Sequence, residues 1–149
     1  MEPQKDFEEF FELSNLNKVQ YLLVGGYAYA IYAEPRYTKD IDIFYSNDRK
    51  NVGKILNVLD QFGFGNLDIG KEDFEKKGQV IQLGMPPYRI DLLNKIEAVS
   101  FEEAWQNRNT ARYGEQEIFV ISKNDLIKNK KATGRKQDKL DVENLKKTN

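Results

Sequence analysis

Asp40 and Asp42, in Lys39-Asp40-Ile41-Asp42-Ile43, stand one short segment after a paired glycine, Val24-Gly25-Gly26. Successive side chains on a strand point to opposite faces, so Asp40 and Asp42 share a face while Ile41 and Ile43 turn into the core. A third acid, Asp91, sits between apolar residues in Tyr88-Arg89-Ile90-Asp91-Leu92-Leu93. An acid in such a strand is costly if it faces the core without a partner. Three of them on neighbouring strands suit a divalent cation, because magnesium prefers a few carboxylates with water and substrate phosphates to a full protein cage. A Gly-Gly turn that opens a helix suits a phosphate. The plainer alternative is that each acid faces solvent on a half-exposed sheet.

The rest of the composition narrows the chemistry. The chain has 149 residues, no cysteine and no histidine. Disulfides, thiolate metal sites, imidazole metal sites and histidine acid–base catalysis are therefore excluded, which leaves carboxylates, lysines, tyrosines and bound ions. A cysteine-free chain fits a reducing cytoplasm. The hydrophobic fraction of 40% and charged fraction of 32% read as soluble and globular. No apolar run approaches the roughly 18 residues of a membrane span, and the acidic N-terminus does not resemble a signal peptide. Net charge is −1, but residues 1–12 carry five acids and one base whereas residues 122–149 carry nine bases and four acids. That tail reads either as a solvated helical face or as a basic wall beside a phosphate site.

These residues need elements to position them. Residues 3–17 have helical spacing of Phe7, Phe10, Phe11 and Ser14. A short apolar strand covers 19–24, the glycines break it, and an alanine-rich helix covers 27–33 before Pro35. Residues 40–45 form the second strand. Ser46 or Asn47 is expected to cap a helix to about residue 62, with Val52, Ile55, Leu56 and Leu59 as its apolar stripe. Phe62-Gly63-Phe64-Gly65 is a turn, and 66–78 a charged loop with a helical turn. Residues 80–83 and 88–93 read as a hairpin around Met85-Pro86-Pro87. Ser100 caps a helix over 101–108, with Glu103 completing a capping box. Residues 111–120 are strand-like around Gly114-Glu115. Ser122 caps a helix to 132, Gly134 ends it, and a last helix covers 136–146. The pattern predicts one α+β domain over 1–149, a locally paired sheet with helices packed against it. Its core covers about 19–121, followed by a basic helical segment, 122–149.

Taken together, Leu23-Val24-Gly25-Gly26, Pro35-Arg36-Tyr37-Thr38-Lys39-Asp40-Ile41-Asp42-Ile43 and Ile90-Asp91-Leu92-Leu93 resemble the nucleotidyltransferase superfamily of the DNA polymerase β type. Within it the chain looks most like the small bacterial AbiEii-like proteins of toxin–antitoxin and abortive-infection systems. The C-terminal Ser122-Lys123-Asn124-Asp125-Leu126-Ile127, Lys130, Gly134-Arg135, Asp138 and Asp141 are part of that likeness. The resemblance covers roughly residues 19–145. It implies a nucleotidyltransferase-like mixed sheet and transfer of a nucleoside monophosphate from a nucleoside triphosphate to a hydroxyl. It further implies that Asp40 and Asp42 bind two magnesium ions, with manganese a workable substitute. Asp91 would bind the ion that activates the acceptor hydroxyl and take its proton. Gly25 and Gly26 would let backbone N–H groups approach the triphosphate.

The cations are read from position. Arg36 either reaches the triphosphate or caps the first short helix at the surface. Lys130 follows Leu126 by one helical turn and so rises from an inward face, where it could neutralise triphosphate charge. Arg135 and Lys136 could bind phosphates or a nucleic-acid acceptor. Asp138 and Asp141, one turn apart, most simply pair with Lys130 or Arg135. Tyr27, Tyr29, Tyr32 and Tyr37 are expected to pack half-buried, with base stacking the alternative, and Trp105 to be core or a helix anchor. The leading functional expectation is a magnesium-dependent nucleotidyltransferase acting on a nucleoside triphosphate, and the resemblance to toxin members implies a tRNA 3′ end as one candidate acceptor. A cognate antitoxin or other partner protein is a candidate companion, and the expected place is the cytoplasm, away from membranes. The rivals are transfer to a protein or small molecule, and a non-enzymatic partner-binding module on the same scaffold. The minimal protein-modifying antitoxins read Gly-Ser before Ser-Asp-x-Asp, and this chain does not. A binding module usually lacks a catalytic acid, and all three are present.

Overall fold

The computed structural model describes residues 3–35, 38–63, 69–84 and 88–148. In chain order the elements are α1 (Lys5–Leu16), β1 (Tyr21–Val24), α2 (Gly25–Tyr32), β2 (Asp40–Tyr45), α3 (Arg49–Phe62), α4 (Lys71–Glu75), β3 (Val80–Leu83), β4 (Arg89–Leu93), α5 (Phe101–Gln106), β5 (Asn109–Tyr113), β6 (Gln116–Val120), α6 (Lys123–Thr133) and α7 (Lys136–Lys146). The architecture is α+β, with one six-stranded mixed sheet in the order β3-β4-β2-β1-β6-β5.

Local pairing accounts for only part of this sheet. Two hairpins, β3 with β4 and β5 with β6, form between chain neighbours, and β1 runs antiparallel to β2. The sheet is closed up by two parallel contacts that local pairing does not predict, β2 with β4 and β1 with β6. Central β1 is consequently paired along both edges, and all four of its residues are buried. This matches its unbroken apolar sequence.

Register sorts the side chains into two faces. Ile41 pairs with Ile90 and Ile43 with Leu92, and Phe10, Ser14, Ile55 and Val58 of α1 and α3 surround Ile43 and Leu92. Phe11 meets Tyr21 at 5.7 Å between ring centroids. The opposite face carries Phe44, whose ring meets Phe101 of α5 edge-on at 5.2 Å. Trp105 is half-buried, stacked on Phe101 and against Phe119, and so anchors α5 as expected.

Caps agree with the sequence in three places and differ in one. Ser100 accepts from the Glu103 amide, Ser122 accepts from the Asp125 amide, and Gly134 closes α6 in the left-handed conformation. The N-cap of α3 is Asp48, which accepts from the Lys50 amide, rather than Ser46 or Asn47. Asn47 is engaged elsewhere: its amide donates to the Glu75 carbonyl and ties this loop to α4. Within α3 the inward stripe is Val52, Ile55, Val58 and Leu59, with Leu56 only half-buried. The tyrosines behave as packing residues. Tyr27 and Tyr29 are buried, and the Tyr32 hydroxyl donates to the Ile121 carbonyl. Tyr37, Phe64, Gly65 and the Met85-Pro86-Pro87 turn lie outside the described residues. Among the described residues no helix is long and apolar enough to cross a membrane.

Candidate active site

The parallel β2–β4 contact assembles the acids. Its register sets Asp42 beside Asp91 and Asp40 beside Arg89. Paired residues of neighbouring strands share a face, and so do residues two apart on one strand. Asp40, Asp42, Arg89 and Asp91 therefore all project from the face opposite Ile41 and Ile43. Asp40 lies towards the rim, its side chain 37% exposed, and Asp91 lies deeper at 12%.

Arg89 links the two. Its Nε donates to Asp91 Oδ1 at 2.8 Å, and its Nη2 donates to Asp91 Oδ2 at 3.3 Å. The same Nη2 lies 3.1 Å from Asp40 Oδ2. Asp42 is left with the least favourable surroundings. Burial, then the charges of Asp91 and Asp40, raise its pKa from 3.8 to about 6, against the opposing charges of Arg89 and Lys130.

Gly25 holds the other wall. It opens α2 at φ +69°, and a Cβ there would run into the Asp42 carboxylate. Glycine at this position thus serves two needs at once: a left-handed turn out of β1, and room for Asp42 against the backbone. Gly26 is less constrained, since a Cβ there would meet Thr38 at ordinary contact distances from 3.5 Å.

The C-terminal residues form a second cluster facing α2. Lys130 is buried, and its Nζ lies 2.9 Å from both Asp138 Oδ1 and Asp141 Oδ2. The Thr133 hydroxyl donates to Asp138 Oδ2 at 2.6 Å, and Arg135 Nε donates to the same oxygen at 2.9 Å. Burial alone would raise the Asp138 pKa. The hydrogen bonds from Thr133 and Lys130 and the charges of Lys130 and Arg135 outweigh it and hold the carboxyl below its ordinary value. Lys130 Nζ also stands 5.9 Å from the centre of the Tyr29 ring. The Asn144 amide donates to the Tyr29 hydroxyl at 3.1 Å, so α2, α6 and α7 are joined. Lys136 is exposed at the start of α7, and Arg36 lies outside the described residues.

A divalent cation is a chemical match for the first cluster. The donors are hard carboxylate oxygens on one face, and burial, then the charges of Asp91 and Asp40, raise the Asp42 pKa despite Arg89 and Lys130. The side chains are not already arranged as a coordination shell: among the described residues no group of three or more acids is placed to hold an ion. Arg89 instead spans Asp40 and Asp91. Sequence reasoning passed over this arginine, although its spacing two residues before Asp91 on a strand was the available signal.

A family model described as "Nucleotidyltransferase of unknown function (DUF6036)" matches residues 5–147. The chain belongs to this family. It is accordingly a nucleotidyltransferase, a transferase of phosphorus-containing groups, within the superfamily that the glycine and aspartate motifs resemble. Among solved structures, it is similar in fold to the lincosamide antibiotic adenylyltransferase LnuA in its lincomycin-bound crystal structure. The TM-score is 0.57 at 17% identity, with 98% of each chain covered. No curated protein sequence matches it. The six-stranded sheet and its helices thus have the nucleotidyltransferase fold.

Proposed function

We propose that this nucleotidyltransferase uses magnesium, held by Asp40, Asp42 and Asp91, to move a nucleoside monophosphate from a nucleoside triphosphate onto an acceptor hydroxyl, breaking the bond between the α- and β-phosphates and releasing pyrophosphate. The observation that supports this most directly is the Asp42–Asp91 register, with Asp40 on the same face and Gly25 against Asp42. When bound, magnesium supplies charge neutralisation at the reacting phosphate and acidifies the acceptor hydroxyl. Asp91, the deepest of the three, receives the hydroxyl proton. Gly25 and Gly26 let the first amides of α2 approach the triphosphate. Lys130 acts on it by charge, its donors being shared with Asp138 and Asp141, and Arg36 is proposed as a second triphosphate cation.

For the acceptor we propose a tRNA end, in a toxin–antitoxin or abortive-infection setting in the cytoplasm. The support is the basic balance of residues 122–149, with Lys136 and Arg135 at its exposed turn. A small-molecule hydroxyl is the second reading, favoured by full-length similarity in fold to an antibiotic adenylyltransferase. Incubating the pure protein with each labelled nucleoside triphosphate, magnesium, and either total tRNA, cell lysate or an aminoglycoside and lincosamide panel separates these. Label in RNA is expected with wild type and absent with Asp42→Asn. Label only in a small molecule would replace the tRNA reading, and label in no acceptor with any triphosphate would end both.

A further inference from the structure

Among the described residues, Arg89 is the cation inserted between the acids of the first cluster. It comes from β4 opposite Asp40 and two residues before Asp91, so the backbone aims it at both carboxylates. Its contacts go to the oxygens that a cation at this site would need: Oδ1 and Oδ2 of Asp91 and Oδ2 of Asp40. We propose that Arg89 is a resident counter-cation, filling the acidic site when no metal is present and giving up Asp40 and Asp91 when a divalent cation enters. The proposal rests on the reading that these acids hold a metal.

Three observations support displacement rather than coexistence. First, a guanidinium and a divalent ion on the same carboxylate oxygens repel, and at contact distances near a protein surface that repulsion is substantial. Second, the Arg89 side chain is 30% exposed, so its head has a route to solvent while its backbone stays in the strand. Third, Lys130, the other cation whose charge acts on Asp42, is held in the second cluster by Asp138 and Asp141 and does not take over the role.

The consequence is a coupling between metal and substrate. In the metal-free protein Arg89 offsets the repulsion among the acids and so lowers affinity for a bare cation. Once displaced, its planar fork is matched to a phosphate group. A triphosphate arriving with the metal gives the guanidinium a new anionic partner, so metal and nucleotide bind better together than either does alone.

Manganese titrations followed by the loss of the free-ion electron paramagnetic resonance signal test this directly, without activity. Arg89→Met is expected to bind manganese alone about tenfold more tightly than wild type, one charge having been removed from the site. It should also lose most of the tightening that a non-hydrolysable triphosphate gives wild type. Arg89→Lys, which keeps the charge but not the fork, should restore weak manganese binding without restoring the full coupling. Equal or weaker manganese binding by Arg89→Met overturns the proposal. A wild-type measurement guards against a variant that fails to fold: added magnesium should move the Arg89 Nε–H resonance from a protected to a solvent-exchanging position, and an unmoved resonance overturns it too. Asp42→Asn separates the two levels of the argument. If wild type binds manganese, Asp42→Asn does not, and Arg89→Met matches wild type, the metal site stands and the arginine's role falls. If none of the three proteins binds manganese, both fall.

Discussion

Asp42 carries a charge that its surroundings oppose, which makes its effect on stability calculable in sign. Burial and the neighbouring acids raise its pKa from 3.8 to about 6, so the native state keeps a proton that the unfolded chain has already released between those values. The stabilisation linked to that proton is complete below pH about 4 and is lost as pH rises through about 6. Asp42→Asn mimics the protonated form. It should be more stable than wild type at pH 8 by about 1–2 kcal/mol, a value discounted for solvent screening, with the difference vanishing below pH about 4. Urea unfolding of metal-free protein at both pH values checks this, and a mutant no more stable at pH 8 would contradict the assigned environment. The two glycines that open α2 should behave oppositely. Gly25→Ala places an L side chain at positive φ and against the Asp42 carboxylate, and should lower stability by about 1–3 kcal/mol. Gly26→Ala adds a methyl group at ordinary contact distance in a helix, where alanine is favoured over glycine by up to about 1 kcal/mol, and should be neutral or stabilising. Paired thermal melts decide between them. The sequence alone marked both glycines, but only the backbone angle and the position of Asp42 distinguish them.

At the scale of elements, what could be read beforehand was whatever depends on short-range periodicity. Alternation placed Asp40 and Asp42 on one face of β2, and the boundaries of β2 and α7 agree with the spacing of their residues. That β2 and β4 are neighbours was expected from their acids, but their parallel direction and register were not legible, because register between distant strands is set by packing of the whole sheet. Arg89 beside Asp91 was legible from their spacing of two on one strand, but its contact with Asp40 was not, because Asp40 lies on another strand. Lys130 is an intermediate case. One turn beyond Leu126, its inward direction followed from helical spacing, and pairing with Asp138 or Asp141 was one of the expected outcomes; the structure has it bonded to both. That pair of hydrogen bonds changes how it should be tested. Lys130→Met removes the cation from two buried carboxylates and should cost about 3–5 kcal/mol of stability. The triple variant Lys130→Met, Asp138→Asn, Asp141→Asn removes all three charges together and should recover most of that loss. Denaturant unfolding of both variants measures it. Failure of the triple variant to recover would mean that the ion cluster itself, rather than the uncompensated charge, holds α6 to α7.

Over the whole molecule, a net charge of −1 conceals a basic C-terminal segment, yet part of that segment is neutralised internally. Lys130 and Arg135 are bonded to Asp138 and Asp141, and Lys128 lies 3.5 Å from Glu103. The positive charge left for a partner is carried by exposed Lys131, Lys136, Lys139, Lys146 and Lys147. Lys131 and Lys146 come close to each other across α6 and α7, and the neighbouring positive charge of Lys146 lowers the Lys131 pKa. Two adjacent ammonium groups at an exposed face repel until an anion lies between them, which a phosphate backbone would do. Absence of histidine and cysteine had already confined the chemistry to carboxylates, lysines, tyrosines and bound ions, and this surface is where the proposed RNA acceptor is expected to be held. Lys131→Glu with Lys146→Glu should therefore weaken tRNA binding at low salt and flatten the dependence of log affinity on log salt, by about 0.7–0.9 for each phosphate that the protein no longer neutralises. Triphosphate binding in the same variant should be unchanged, because both residues lie outside the carboxylate cluster. Filter-binding titrations over a range of salt give both numbers. Unaltered tRNA affinity and slope would remove the tail from the acceptor site and leave a small-molecule hydroxyl as the better reading.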